Sequence, residues 1–188
     1  GGGKSWALRQ KAKMLALTYA GITILILRRT FPELRENHII PMLTDLKGIA
    51  RYRTTDKMFV FDNGSRIIFG YCNSEADATQ YQGNEYDIIA FDEATQFTEL
   101  MFRMIKSSLR GANDFPKRMY FTCNPGGVGH EWVKRLFIDK EYREGEKPEE
   151  YEFIKATAFD NPVLMEKMPD YVEDLNALPE DLRRAWRD

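Results

Sequence analysis

The chain has 188 residues, which suits one domain with room for a full hydrophobic core. Its 43% hydrophobic and 30% charged residues exclude a disordered polymer, and no apolar run is long enough to span a bilayer. A net charge of −2 creates no global positive field, so a nucleic-acid partner would have to be held by local basic patches.

The chain opens with Gly1-Gly2-Gly3-Lys4-Ser5. These residues read as the tail of a phosphate-binding loop, G-x-x-x-x-G-K-[ST], whose front and feeding strand would lie upstream of Gly1. The plain alternative is a glycine-rich tag running into a helix. On the first reading the chain is a fragment cut inside its own active site, and it is expected to be unstable or inactive when isolated. Glycines would let backbone N–H groups crowd round phosphate oxygens, at the positive end of a helix starting near Lys4. Lys4 would neutralise the β- and γ-phosphates of ATP, and the Ser5 hydroxyl would be a ligand of its Mg²⁺.

Residues 5 to 20 have apolar positions at three- and four-residue spacing and predict a helix ended by Gly21. Residues 22 to 27 (ITILIL) predict a strand buried on both faces of a parallel sheet. A second helix is expected over 32 to 46, kinked or broken at Pro41. Residues 58 to 61 and 65 to 69 flank Asp62-Asn63-Gly64 and predict a β-hairpin, with Asn-Gly supplying positive φ angles. The polar stretch 71 to 84 predicts a loop or short helix. A second buried strand over 87 to 92 ends in Asp92-Glu93. A helix follows over 97 to 110, a turn over 111 to 115, and a third strand over 118 to 123 leads into Asn124-Pro125-Gly126-Gly127. A short helix is expected over 131 to 137 and a highly charged loop over 139 to 150. A strand over 151 to 159 and helices over 165 to 178 and 179 to 188 complete the reading. Strands alternating with helices imply an α/β fold of three layers, interrupted by one hairpin.

Two further signals carry chemistry. Four apolar residues before Asp92-Glu93 fit the acidic strand of a P-loop ATPase, where Asp92 would hold Mg²⁺ and Glu93 would deprotonate the attacking water. A surface turn after a buried strand is the bland alternative. The strand over 22 to 27, between Gly-Lys-Ser and this pair, fits the P-loop class with an inserted strand and a catalytic glutamate. At the next strand tip, Thr122-Cys123-Asn124 can couple hydrolysis to movement, with Asn124 sensing the γ-phosphate; a strand-to-turn junction would look similar. Cys72 and Cys123 have neither metal-site nor disulfide spacing, which fits a reduced, cytoplasmic setting. His38 and His130 are isolated, and a metal site built on them is not expected.

Taken in order, these residues resemble the ATPase domain of the large terminase subunit of tailed bacteriophages. The resemblance rests on Gly-Gly-Gly-Lys-Ser, Leu27-Arg28-Arg29-Thr30, Tyr81 to Asp87 running into Phe91-Asp92-Glu93, and Ser108-Leu109-Arg110. It continues through Asn124-Pro125-Gly126-Gly127, Gly129 to Lys134, and Asp160-Asn161-Pro162. It implies an ATP-driven motor that packages double-stranded DNA into procapsids, working as a homo-oligomeric ring on a portal protein with a small terminase subunit, in the host bacterial cytoplasm and without a membrane partner. It also implies an RNase H-like nuclease downstream, so no nuclease activity is expected of this stretch. Another P-loop ATPase such as a DNA helicase, or a nucleotide-binding assembly module that does not turn over, are the alternatives.

Many such terminases place an arginine finger where this chain has Gln82, and glutamine cannot neutralise transition-state charge as guanidinium does. Arg110 is the substitute on offer for a trans-acting arginine, although a helix C-terminus favours arginine in any case. Lys134-Arg135, Arg183-Arg184 and Arg187 are the basic patches on offer for DNA phosphates, or else solvated faces.

Overall fold

The computed structural model describes residues 3–156 together with Glu166, Asn176 and Ala177. One six-stranded sheet organises them: β1 (Thr23–Arg28), β2 (Ala50–Arg53), β3 (Met58–Phe61), β4 (Arg66–Tyr71), β5 (Ile88–Phe91) and β6 (Arg118–Phe121). The spatial order is β2-β3-β4-β1-β5-β6. β1 pairs parallel with β4 and β5, and β5 parallel with β6, whereas β3 runs antiparallel to β2 and β4.

All six residues of β1 are buried. Their side chains alternate between two cores. Ile24 and Ile26 pack with Leu8, Ala12 and Leu15 of helix α1 (Lys4–Thr18) and with Leu34 and Met42. Leu25 and Leu27 pack on the opposite face with Phe97, Phe102, Ile105 and Trp132. Helices therefore cover both faces of the parallel strands, which gives the three-layer α/β arrangement expected from sequence. Each large apolar side chain fully buried there contributes about 1.5–3 kcal/mol.

The second helix differs from expectation at Pro41. It runs on without a break, as Phe31–Leu34, a π-helical turn Arg35–Ile39, and Ile40–Asp45. Proline has no N–H to offer the carbonyl four residues back. The turn widens, Ile40 N bonds Arg35 O, and the Asn37 carbonyl is left to accept from the Arg9 guanidinium.

The hairpin forms as expected, with a third strand, β2, on its outer edge that sequence reading missed. Of Asn63 and Gly64 only Gly64 takes a positive φ, 84°. Asn63 instead sends its side-chain amide to the Ala16 carbonyl at 2.8 Å, capping the end of α1. The helix expected over 97 to 110 is shorter, Glu99–Lys106, because the Thr98 hydroxyl caps it by accepting from Met101 N. Residues 151 to 156 form no strand; Tyr151 stacks on Tyr142 and meets the edge of Phe137. The remainder of that expected strand (157 to 159), the Asp160-Asn161-Pro162 motif after it and both expected C-terminal helices lie outside the described residues, apart from Glu166, Asn176 and Ala177. No helix among the described residues is long and apolar enough to cross a membrane.

Candidate active site

The site lies where α1 begins and where β1, β5 and β6 end. Gly3 is left-handed, with φ 72°, a conformation for which glycine is suited, and it turns the chain into α1 at Lys4. Gly1 and Gly2 lie outside the described residues. The first turn of α1 aims Lys4 and Ser5 at the strand tips. Ser5 Oγ donates to both oxygens of Asp92, at 2.9 and 3.0 Å, and Lys4 Nζ donates to Asn124 Oδ1 at 3.2 Å. Asn124 Nδ2 in turn donates to both oxygens of Glu93, at 3.3 Å. The sequence separations are 87, 120 and 31 residues. The fold therefore brings together Lys4, Ser5, Asp92, Glu93, Thr122 and Asn124.

Asp92 is fully buried at the end of β5, and three groups surround it besides Ser5. The Thr122 hydroxyl donates to Oδ1, His38 Nε2 lies 2.8 Å from Oδ2, and Arg28 lies 3.4 Å from Oδ2. Burial on its own would raise the Asp92 pKa. The hydrogen bond and charge of His38, the Thr122 hydroxyl and the Arg28 guanidinium outweigh it and hold the carboxyl below its ordinary value. Glu93 moves the other way, because burial and the neighbouring Asp92 charge exceed the help of Arg28, Asn124 and Lys4. Two adjacent carboxylates thus receive divergent proton affinities, as an ionised cation ligand and a proton-accepting base would require.

Glu93 also occupies the left-handed region, with φ 59° and ψ 55°, which is uncommon for a residue with a side chain. Thr122 holds that bend. Its hydroxyl accepts from Glu93 N at 3.1 Å, and its carbonyl accepts from Ala94 N at 2.7 Å. The loop after β6 is fastened by Thr95, whose hydroxyl donates to Asn124 O at 2.9 Å and whose carbonyl accepts from Gly129 N at 2.7 Å. A Cβ on Gly129 would come within 2.2 Å of Phe97 O, so only glycine permits this approach. Cys123 is half-buried beside the second core, with its thiol pKa raised by burial.

Magnesium takes oxygen ligands and usually keeps several waters. The Ser5 hydroxyl and the ionised Asp92 carboxylate, in mutual contact, are a suitable donor pair for it.

Other residues singled out from sequence stand elsewhere. Arg110 is exposed, 3.9 Å from Glu85, on the loop that Ser108 braces against the segment carrying Gln82. That brace is a hydrogen bond from the Ser108 hydroxyl to Tyr81 O at 2.6 Å. Lys134 is paired with Asp139 at 2.6 Å, and Arg135 with Glu146 at 2.7 Å and Glu99 at 3.2 Å, so both basic groups are already engaged by acids. Arg183, Arg184 and Arg187 lie outside the described residues. Arg28 enters the sequence reading only within Leu27-Arg28-Arg29-Thr30, at the C-terminal end of a buried strand and without a role of its own. His38 at the site and Thr95 behind it were missed; His38 carried no signal, because only the helix path brings it there.

A sequence model of the phage terminase large subunit family matches residues 1–187. No curated protein matches the chain. Among solved structures, the large terminase of a thermophilic bacteriophage in complex with ADP is similar, with a TM-score of 0.72 and 18% identity over 98% of this chain and 44% of that one. The ATPase domain of the Thermus phage P74-26 large terminase has a TM-score of 0.64 at 15% identity, covering 98% of this chain and 82% of that one. The HK97 bacteriophage large terminase has a TM-score of 0.53 at 11% identity, covering 74% of this chain and 31% of that one. At these identities the likeness establishes the fold, and the chain spans less than half the length of the thermophilic phage protein.

Proposed function

The chain belongs to the phage terminase large subunit family, and from that premise we propose that it is the ATP-hydrolysing motor domain of such a subunit, driving double-stranded DNA into procapsids. The supporting observation is the convergence of Lys4, Ser5, Asp92, Glu93 and Asn124 in one hydrogen-bonded cluster from three distant parts of the sequence. The similar thermophilic phage structures described as complexes with ADP and with ATP-gamma-S agree with a nucleotide site in this fold.

In this reading Gly1 to Ser5 receive the phosphates of ATP at the N-terminus of α1. Bound Mg²⁺ would neutralise charge on the β- and γ-phosphates, held through Ser5 and Asp92. Lys4 turns from Asn124 to the γ-phosphate. That frees the Asn124 amide to report the phosphate to Glu93, the group it already touches. Glu93 orients the attacking water and takes its proton on a carboxylate oxygen. Thr122, Cys123 and Asn124 pass the change to the loop fastened by Thr95. Arg110 is exposed where a neighbouring subunit of a ring could receive it. The portal protein and the small terminase subunit are the partners that the family implies.

DNA contact is better placed on the sheet than on Lys134 and Arg135. Arg51, Val60 and Arg66 are cross-strand neighbours in β2, β3 and β4, so their side chains share one face. Arg53 lies two residues along on that face. All three arginines are exposed, and among the described residues Arg51 and Arg66 form no ion pair. Such a face suits a phosphate backbone.

The test is steady-state ATP hydrolysis by the full-length protein, with and without double-stranded DNA. Glu93→Gln is expected to lower turnover by roughly 10²–10⁴-fold while ADP binding persists. An unchanged rate would remove Glu93 as the base. Binding without turnover by the unaltered protein under every condition would favour a nucleotide-binding assembly module.

A further inference from the structure

His38 belongs to none of the motifs that mark the site, yet it is completely buried against the Asp92 carboxylate. An ionised carboxylate can only accept, so the imidazole donates from Nε2 to Oδ2 across 2.8 Å. Its other nitrogen, Nδ1, has no hydrogen-bond partner among the described residues. A buried imidazole with one nitrogen unpaired is a poorer core filler than an apolar side chain of the same shape. The interaction that accounts for its presence is the one with Asp92.

The route by which His38 arrives is equally specific. It sits in the π-helical turn Arg35–Ile39, shortly before Pro41, and π turns inside helices recur at functional sites. The widened turn directs His38 inward, onto the tip of β5. Asp92 is then held at both oxygens: Oδ1 by Thr122 and Ser5, and Oδ2 by Ser5 and His38, with Arg28 at 3.4 Å. Arg28 acts from the longer distance, and the short, directional bond comes from His38.

We propose that His38 is a positioning residue for Asp92. By fixing the carboxylate's rotation it sets the affinity of the nucleotide site for its divalent cation, and it takes no part in recognising the nucleotide itself. This rests on the reading of Asp92 as a Mg²⁺ ligand, and it assigns the π turn as the element that supports that ligand from behind.

The experiment measures ADP affinity of the full-length protein by calorimetry across a Mg²⁺ series and in EDTA. The variants are His38→Met and His38→Gln, matched in length but differing in the donor. In His38→Met the Mg²⁺ concentration for half-maximal tightening of ADP is expected to rise about 10-fold or more, as for other groups that orient metal ligands, with EDTA affinity unchanged. In His38→Gln the side-chain amide restores the donor, and the midpoint should return to within about 3-fold of the original. Should the methionine variant not fold, His38→Phe keeps the ring shape without the donor and carries the same comparison. A donor-less variant with the original Mg²⁺ midpoint overturns the proposal, as does one that loses ADP affinity equally in EDTA. If the unaltered protein itself shows no Mg²⁺-dependent tightening, the assignment of Asp92 fails, an outcome distinct from failure at His38 alone.

Discussion

Thr122 is joined to both acidic residues at once: its hydroxyl donates to Asp92 and accepts from the backbone of Glu93, whose left-handed conformation it steadies. Valine has nearly the same shape and neither capacity. Thr122→Val would leave a buried carboxylate oxygen and a backbone N–H short of a partner. The expected cost is about 2 kcal/mol, which for a chain of this size is a fall in melting temperature of roughly 4–8 °C. Turnover should fall further than ADP affinity, because the bend that aims Glu93 is released. Thermal melts and paired hydrolysis and binding assays check this; an unchanged melting temperature would mean that the bonds to Asp92 and Glu93 contribute nothing net. The same residue explains why only part of the site was legible along the chain. Strand tips ending in Asp-Glu and Thr-Cys-Asn are recognisable by type and spacing. The contact between Thr122 and Asp92 depends on β5 and β6 being neighbours in register, with Phe91 opposite Phe121.

The elements show a similar division. The stretch from Asp139 to Glu150 reads in sequence as a solvated charged loop, and part of it is instead pinned to the helix Glu99–Lys106. Glu146 accepts from Arg135 at 2.7 and 3.1 Å, from Arg103 at 2.9 Å and from the backbone of Arg143 at 2.8 Å. Glu99 is shared among Arg103, Arg135 and Arg143. The hydrogen bond to Arg135, with the other arginines behind it, pulls the Glu146 carboxyl down to about 2 from an ordinary 4.5. A depressed carboxyl contributes stability that is full above its unfolded value and is lost as pH falls through its folded one. Glu146→Gln should therefore lower the melting temperature at pH 7 by roughly 2–4 °C, equivalent to about 1 kcal/mol after solvent screening. That difference should shrink from pH 4.5 downwards and close near 2. Melts between pH 7 and 3 follow the trend, and a difference independent of pH would assign the effect to packing. Charge counting along the chain could not show this network, since its acids and bases lie up to 44 residues apart.

For the whole molecule the sheet divides labour. Its parallel half, β1, β5 and β6, has β1 and β5 buried between the helical layers and carries Asp92, Glu93 and Asn124 at its C-terminal edge, where open α/β sheets carry their ligands. Its antiparallel half, β2, β3 and β4, carries Arg51, Arg53 and Arg66 exposed on one face. With the full-length protein on double-stranded DNA, Arg51→Ala and Arg66→Ala should each weaken binding regardless of sequence. Each should also reduce the slope of log affinity against log salt by about 1. Arg135→Ala should leave that slope unaltered, since its guanidinium is occupied by Glu146 and Glu99. The reverse pattern would move the DNA interface from the hairpin face to the helix His130–Val133 and the turn that follows it.

The amino-acid sequence by itself determined the alternation of buried strands with amphipathic helices, the three-layer class, the hairpin and the residue types of the site. Those features are local: apolar periodicity sets which face is buried, and glycine, lysine, serine and paired carboxylates declare their chemistry at short spacing. Only the tertiary structure decided which side chains touch Asp92, that Asn124 bridges Lys4 and Glu93, that Pro41 widens a helix rather than breaking it, and that Lys134 and Arg135 are already paired. The contacts of Asp92 and Asn124 depend on strand order and on where the helices lie against the sheet. A hydrogen bond 2.8 Å long between residues 54 apart, such as that of His38 with Asp92, leaves no periodic trace along the chain.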